Sequence, residues 1–427
     1  MAVNGLTSNF PALGHRLYRR LLLAQLLFET GLTIFEVALF WTAARTVGAH
    51  AFVGALFALI VLPASLMAVP SGLVADRLGP RALVAGGGAV ATGAALVAAV
   101  LSAGDRVGAL AAVLLAVTAG LSLGAWSVPS QVIAGRSVPA EILPGAIALS
   151  LLPSGAGAIG GGAVGGLLLG TGGAPAGFLA AAVVLAGAGV AAVRLRTAPL
   201  ERPVPGPAET APAPAPAETA GPATTVVAPM RRILAAPMLW GMVALAATMS
   251  LFLVGRVALF PALVSDVLHG GPDQLGMLVG VGGLGILAGA LATEPCGRLF
   301  GRGPTLFGAV VVAAAGFAAL GFVRSPLLSV ALACLTAAAT ITWQVTSAAT
   351  VQLSADPRDR GRLLGVYDLF RLALIPVGSV GLGALADAVG VTATCLIAGG
   401  ATVLGAAATA ASNQSLRRLR SMPSPTP

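Results

Sequence analysis

Three ionisable side chains, Glu29, Glu36 and Arg256, sit inside long apolar runs of the sequence. A charge in such surroundings costs about 3 kcal/mol on insertion scales, and residues of this kind mark proton or ion pathways. Glu29 and Glu36 are seven residues apart, about two helical turns, so they share one helix face. Glu36 opens the phrase Glu36-Val-Ala-Leu-Phe40, and Arg256 opens Arg256-Val-Ala-Leu-Phe260, 220 positions later in a chain of 427. The chemistry these residues suggest is proton or charge coupling. Glu29 is either a proton or cation site or a carboxylate near enough to a polar boundary to stay solvated.

The elements that must hold these charges are membrane helices. Hydrophobic residues make up 57% and charged residues only 9% of the chain, with a mean hydropathy of +0.94, whereas a soluble domain carries about 25% charged residues. Apolar stretches of about 20 residues, each able to cross a bilayer as a helix, are centred near Ile34, Leu66, Ala91, Leu115, Ile159, Val184, Phe252, Gly283, Val312, Ala333, Ile375 and Leu404. They are too long and continuous for the alternating segments of a β-barrel. The expected fold is an all-α membrane protein of twelve spans in two pseudo-symmetric six-helix bundles. The bundles run over 1–196 and 230–412, joined by a Pro/Ala-rich cytoplasmic linker over 197–229 and followed by a cytoplasmic tail over 413–427.

All 24 basic residues are Arg. With the N-terminus in the cytoplasm, only Arg45, Arg106 and Arg324 fall outside and Arg256 and Arg371 within spans. The rest follow the positive-inside bias, so the charge of +9 reflects topology and not a nucleic-acid partner. Both termini are expected to be cytoplasmic, the location a cell (plasma) membrane, and the first span uncleaved. Three scattered cysteines give no disulfide framework or metal site. The dispersed His15, His50 and His269 supply no catalytic constellation. Neither an enzyme nor a cofactor is expected.

The halves echo each other elsewhere. Trp126-Ser-Val-Pro-Ser130 and Trp343-Gln-Val-Thr-Ser347 share W-x-V-x-S at an offset of 217, and Arg77-Leu78 aligns with Arg298-Leu299 at 221. Between the second and third spans lies Gly72-Leu-Val-Ala-Asp76-Arg77-Leu-Gly79-Pro-Arg81. This loop resembles the signature loop of the major facilitator superfamily, with Pro80 at a usually basic position. Arg358-Asp-Arg-Gly-Arg362 and Gly383-Ala-Leu-Ala-Asp387 are similar to the branch with macrolide exporters and enterobactin-type siderophore exporters.

The resemblance implies a cytoplasmic gate in which Gly72, Asp76, Arg77, Gly79 and Arg81 touch the eleventh helix, where Asp368 and Arg371 can face one another. It also implies a central cavity lined by helices 1, 4, 7 and 10. Glu36 and Arg256 would then approach across its outer half, as a switching pair, as a static one, or without contact. Trp126, Ser130 and Gln131, with Thr340, Trp343, Gln344 and Ser347, would line a cavity suited to a bulky amphipathic substrate, unless the hydroxyls serve their own helix backbones.

The expected function is alternating-access transport, with proton-coupled efflux of a drug-like or secondary-metabolite compound foremost. The fifth span carries a glycine spine, Gly155 to Gly166, without the proline of the drug-antiporter pattern, and the fourth-span arginine is absent. Uptake or uniport without proton coupling, and a non-transporting sensor on the same fold, stand as alternatives. The expected partners are a small-molecule substrate, protons and the lipid bilayer, and the expected state is a monomer.

Overall fold

Within a bilayer no water meets the backbone, so long apolar segments satisfy their own N–H and C=O groups as helices. The computed structural model describes residues 11–139, 142, 146, 149–195, 237–354, 360–417 and 419. The 197–229 linker, Arg358 and Asp359 lie outside these residues. Ten described helices are long and apolar enough to cross a membrane, and two irregularities bring the spans to the expected twelve. The 43-residue helix Leu151–Val193 reverses at Gly173, whose φ of 70° and ψ of −171° suit a residue without Cβ. The second span is divided at Met67 into His50–Leu66 and Ala68–Leu78. Pro70 follows closely, and its missing N–H leaves the Leu66 carbonyl without its helical donor.

The spans are α1 (Arg16–Val47), α2 (His50–Leu66 with Ala68–Leu78), α3 (Pro80–Ala103), α4 (Ala109–Ser137), α5 (151–172) and α6 (174–193). The second half comprises α7 (Pro237–Val267), α8 (Pro272–Phe300), α9 (Arg302–Leu320), α10 (Pro326–Leu353), α11 (Arg360–Val389) and α12 (Val391–Ser412). Among the described residues there is no strand. While α1 is unbroken, α7 passes from α-helix (Pro237–Phe252) through a 3-10 segment (Val254–Leu259) to a π turn (Leu263–Val267).

Glycines set the closest helix approaches. A Cβ on Gly157 would lie 2.6 Å from the Glu29 Cβ, and one on Gly161 2.6 Å from the Thr30 carbonyl oxygen, so this face of α5 packs on α1. Gly155, Gly162 and Gly166 face α8 of the other half: a Cβ on Gly162 would meet the Gly276 carbonyl oxygen and the Gly280 nitrogen, both at 2.5 Å. Small residues let membrane helices touch backbone to backbone, and α5 does so on two sides.

The far end of the bundle, where odd-numbered spans finish, is closed across the halves. Gly54 of α2 abuts the Ser379 carbonyl of α11, and Gly383 of α11 abuts the His50 carbonyl. At the near end, which holds the N-terminus of α1, the lower segment of α2 packs on α3 and α4. A Cβ on Gly72, Gly297 or Gly365 there would meet nothing within 4 Å.

Each half staples its α2–α3 or α8–α9 turn to its own last helix. The Arg81 guanidinium donates to the Val193 carbonyl at the end of α6, and the Gly303 N–H donates to the Leu419 carbonyl beyond α12 at 3.0 Å.

Candidate functional site

A cavity of about 420 Å³ lies among α1, α4 and α5. Glu29 is the charged residue in its lining, accompanied by Gln25, Ser127, Ser130, Gln131, Ser150 and Ser154. The Ser154 hydroxyl donates to Glu29 Oε1 at 3.3 Å. The α5 glycines make this contact geometrically available, because Gly157 and Gly161 allow α1 to approach within backbone distance.

Trp126 supplies the aromatic wall. Its ring stacks on Phe28 at 4.0 Å with 7° between planes, and its indole Nε1 is buried without a hydrogen-bond partner. The Ser130 hydroxyl is turned back to the Ser127 carbonyl at 2.8 Å, as is common for Ser in membrane helices, while Gln131 is exposed.

The tenth-span residues do not border this cavity. In this conformation Trp343 is fully buried. Thr340 gives its hydroxyl to the Thr336 carbonyl at 2.7 Å, and Ser347 is bonded to the Tyr367 hydroxyl of α11 at 2.5 Å. Gln344 is partly buried, and none of the four borders the α1–α4–α5 cavity.

Of the three arrangements open to Glu36 and Arg256, this conformation shows the one without an ion pair, although the far end is closed. Arg256 lies in the 3-10 segment of α7 and is 7% exposed. Its guanidinium donates to the Leu253 carbonyl at 2.9 Å. The same carbonyl accepts from the Arg256 backbone N–H at 3.3 Å, so the residue is tied to its own segment through main chain and side chain. Glu36 is partly buried on the unbroken α1.

Of the gate residues, Asp368 and Arg371 pair within α11 at 2.9 Å. Arg81 is held by α6, Gly79 opens α3 with φ 84°, Arg77 is exposed near the end of α2, and Gly72 faces open space. The Asp76 backbone lies in α2, and its side chain is outside the described residues. Among the described residues nothing bonds this loop to α11.

A polar cluster that the sequence did not single out stands at the far end. Asp387 accepts from the His50 N–H at 2.8 Å and the Ala51 N–H at 2.9 Å, and His50 Nε2 lies 3.1 Å from Asp266 Oδ2. Among the described residues no group of three or more His, Cys, Asp or Glu is arranged to hold a metal ion.

Comparison with known proteins decides the family. The family profile described as "Transmembrane secretion effector" matches residues 7–424. The chain belongs to that family. It is a membrane transporter of the major facilitator superfamily, and not an enzyme. No curated protein sequence matches the transporter. Its fold is shared with the nucleoside transporter NupG (15% identity, 93% of this chain and 99% of the other, TM-score 0.72). A bacterial homolog of the human lysosomal transporter Spinster, in an inward-facing and unoccupied conformation, is similarly close (16%, 96% and 98%, TM-score 0.72). The inward-open xylose transporter XylE from E. coli also matches (14%, 92% and 94%, TM-score 0.68). These identities establish the architecture alone.

Proposed function

We propose that the transporter is a proton-coupled exporter of a bulky, amphipathic drug-like or secondary-metabolite compound, working by alternating access. The observation that carries this reading is the cavity in which the Glu29 carboxylate meets hydroxyl and amide groups beside the Trp126–Phe28 stack. A carboxylate on an otherwise uncharged wall exchanges a proton for a cationic or hydrogen-bonding substrate at small geometric cost. The aromatic wall contributes apolar area.

The arginine distribution supports a cytoplasmic near end and cytoplasmic termini in a cell membrane. The far-closed, near-open arrangement is then an inward-facing state, with the cavity facing the compartment from which an exporter loads. In this reading Glu29 carries the coupling proton and Glu36, on the same face of α1, is a second carboxylate. Arg77, Arg81, Asp368 and Arg371 belong to the cytoplasmic gate of the opposite state.

Reconstitution into liposomes tests the reading. With an imposed pH gradient, flux of a candidate amphipathic substrate should saturate and collapse on addition of a protonophore. Flux that is indifferent to the gradient would favour uniport, and no flux of any tested compound class would favour a sensor.

A further inference from the structure

The far-end contact between α2 and α11 has a sequence counterpart at the near end. Near the end of α2 stands Gly72-Leu-Val-Ala-Asp76, then Gly79; near the end of α11 stands Gly383-Ala-Leu-Ala-Asp387, then Gly390. Both aspartates precede the last helical residue by two positions, Leu78 in one case and Val389 in the other. The glycines that follow adopt matching backbones, φ 84° and ψ 141° at Gly79 against φ 85° and ψ 160° at Gly390. Each then leads directly into the next span. The same turn is therefore built twice, once at each end of the bundle.

In this conformation the α11 copy is engaged. The N-cap position of α2 is Ala49, which makes no side-chain cap bond. Asp387 supplies the cap from the other half of the protein, one oxygen to each of the first two helical N–H groups. A carboxylate there satisfies orphan donors and lies at the positive end of the helix dipole. Gly383 permits the approach, since a Cβ would lie 2.5 Å from the His50 carbonyl oxygen. His50 adds a second link to the C-terminal half through Asp266 of α7. At the α2 copy, a Cβ on Gly72 would meet open space, and the lower α2 segment leans on α3 and α4.

We propose that Asp387 is the lock of the far-closed state. Asp387 holds the N-terminus of α2 when the far end is shut and lets go as that end opens. Gly383 is the surface on which this closure seats. The proposal rests on the alternating-access reading above. Asp387, His50 and Asp266 are positioning residues that touch no substrate.

The test uses the full-length protein in lipid nanodiscs, with its three native cysteines replaced. Spin labels on Arg45→Cys and Val389→Cys report far-end separation, and labels on Arg136→Cys and Leu353→Cys report the near end. Asp387→Ala should raise the far-open population relative to the far-closed one about threefold to tenfold, the range expected for losing a pair of exposed charge-assisted bonds at a helix terminus. Asp387→Asn, which keeps one acceptor oxygen, should fall between. Gly383→Leu gives an independent route to the same shift by wedging the contact while leaving the carboxylate in place. A wild type showing both far-end distances, unchanged by Asp387→Ala and by Gly383→Leu, would overturn the lock alone. A wild type confined to one far-end distance at every pH and with every substrate would instead overturn alternating access.

Discussion

Gly162 of α5 and Gly276 of α8 bring the two halves of the transporter together backbone to backbone. A Cβ on Gly162 would lie 2.5 Å from the Gly276 carbonyl oxygen, and a Cβ on Gly276 2.3 Å from that of Gly162. Both obstacles are main-chain atoms, so neither can swing aside. Gly162→Leu should therefore force α5 and α8 apart and strongly deplete the far-closed state. Cysteine accessibility from the far side should rise in this variant while the protein still inserts and purifies. Unchanged accessibility would mean that the α5–α8 contact does not contribute to the seal.

Glu29 is tested by removing its charge without its shape. Glu29→Gln should abolish the response of transport to a pH gradient while retaining substrate binding within about tenfold. Ser154→Ala removes one hydroxyl donor, a net effect of about 1 kcal/mol, and should shift the pH profile of transport without eliminating it. The measurement is flux against internal pH in liposomes. A Glu29→Gln protein that still follows the gradient would move the coupling role to Glu36 or elsewhere.

Trp126 separates packing from recognition. Trp126→Phe preserves a ring against Phe28 but shortens the aromatic side chain at the cavity, and should weaken binding of bulky substrates with little change in thermal stability. Trp126→Ala should lower stability by about 3 to 5 kcal/mol, the usual consequence of emptying a buried aromatic site. Equilibrium binding and thermal unfolding in the same detergent distinguish the two effects.

Arg256 is bonded to its own broken helix, so its loss should be felt in stability before selectivity. Arg256→Met removes the guanidinium donor from the Leu253 carbonyl, which keeps the Arg256 backbone N–H, and should cost about 1 kcal/mol, read as a lower melting temperature. The exchange of Glu36→Arg with Arg256→Glu should rescue nothing that the single changes lose. Full rescue in transport would show that the pair forms in another state of the cycle.

The apolar runs made the spans legible, because period and length alone define a crossing helix. The two-half architecture was foreshadowed by the matched phrases at 36 and 256, whereas the break in the second span was not read from the sequence. The glycine spine was visible as composition, but its division between α1 and α8 was not. The reason is physical: these helices are apolar nearly all round, so the sequence carries little record of which way each face points. Contacts such as Ser154–Glu29 and Asp387–His50 join residues 125 and 337 positions apart and depend on that rotation. Arg256 misled for a related reason. Its position matches Glu36 in the sequence, but the 3-10 segment around it reorients the side chain toward its own backbone.

That segment makes the two halves unequal as mechanical parts. The unbroken α1 keeps its hydrogen-bond ladder from Arg16 to Val47, so it transmits load as a stiff rod. Between Phe252 and Leu268, α7 changes pitch three times, and a rod so jointed yields there first. The carboxylates of α1 thus ride on the rigid member, while bending concentrates in the opposite half. A transporter built in this way keeps its chemistry in a fixed frame and moves the wall around it.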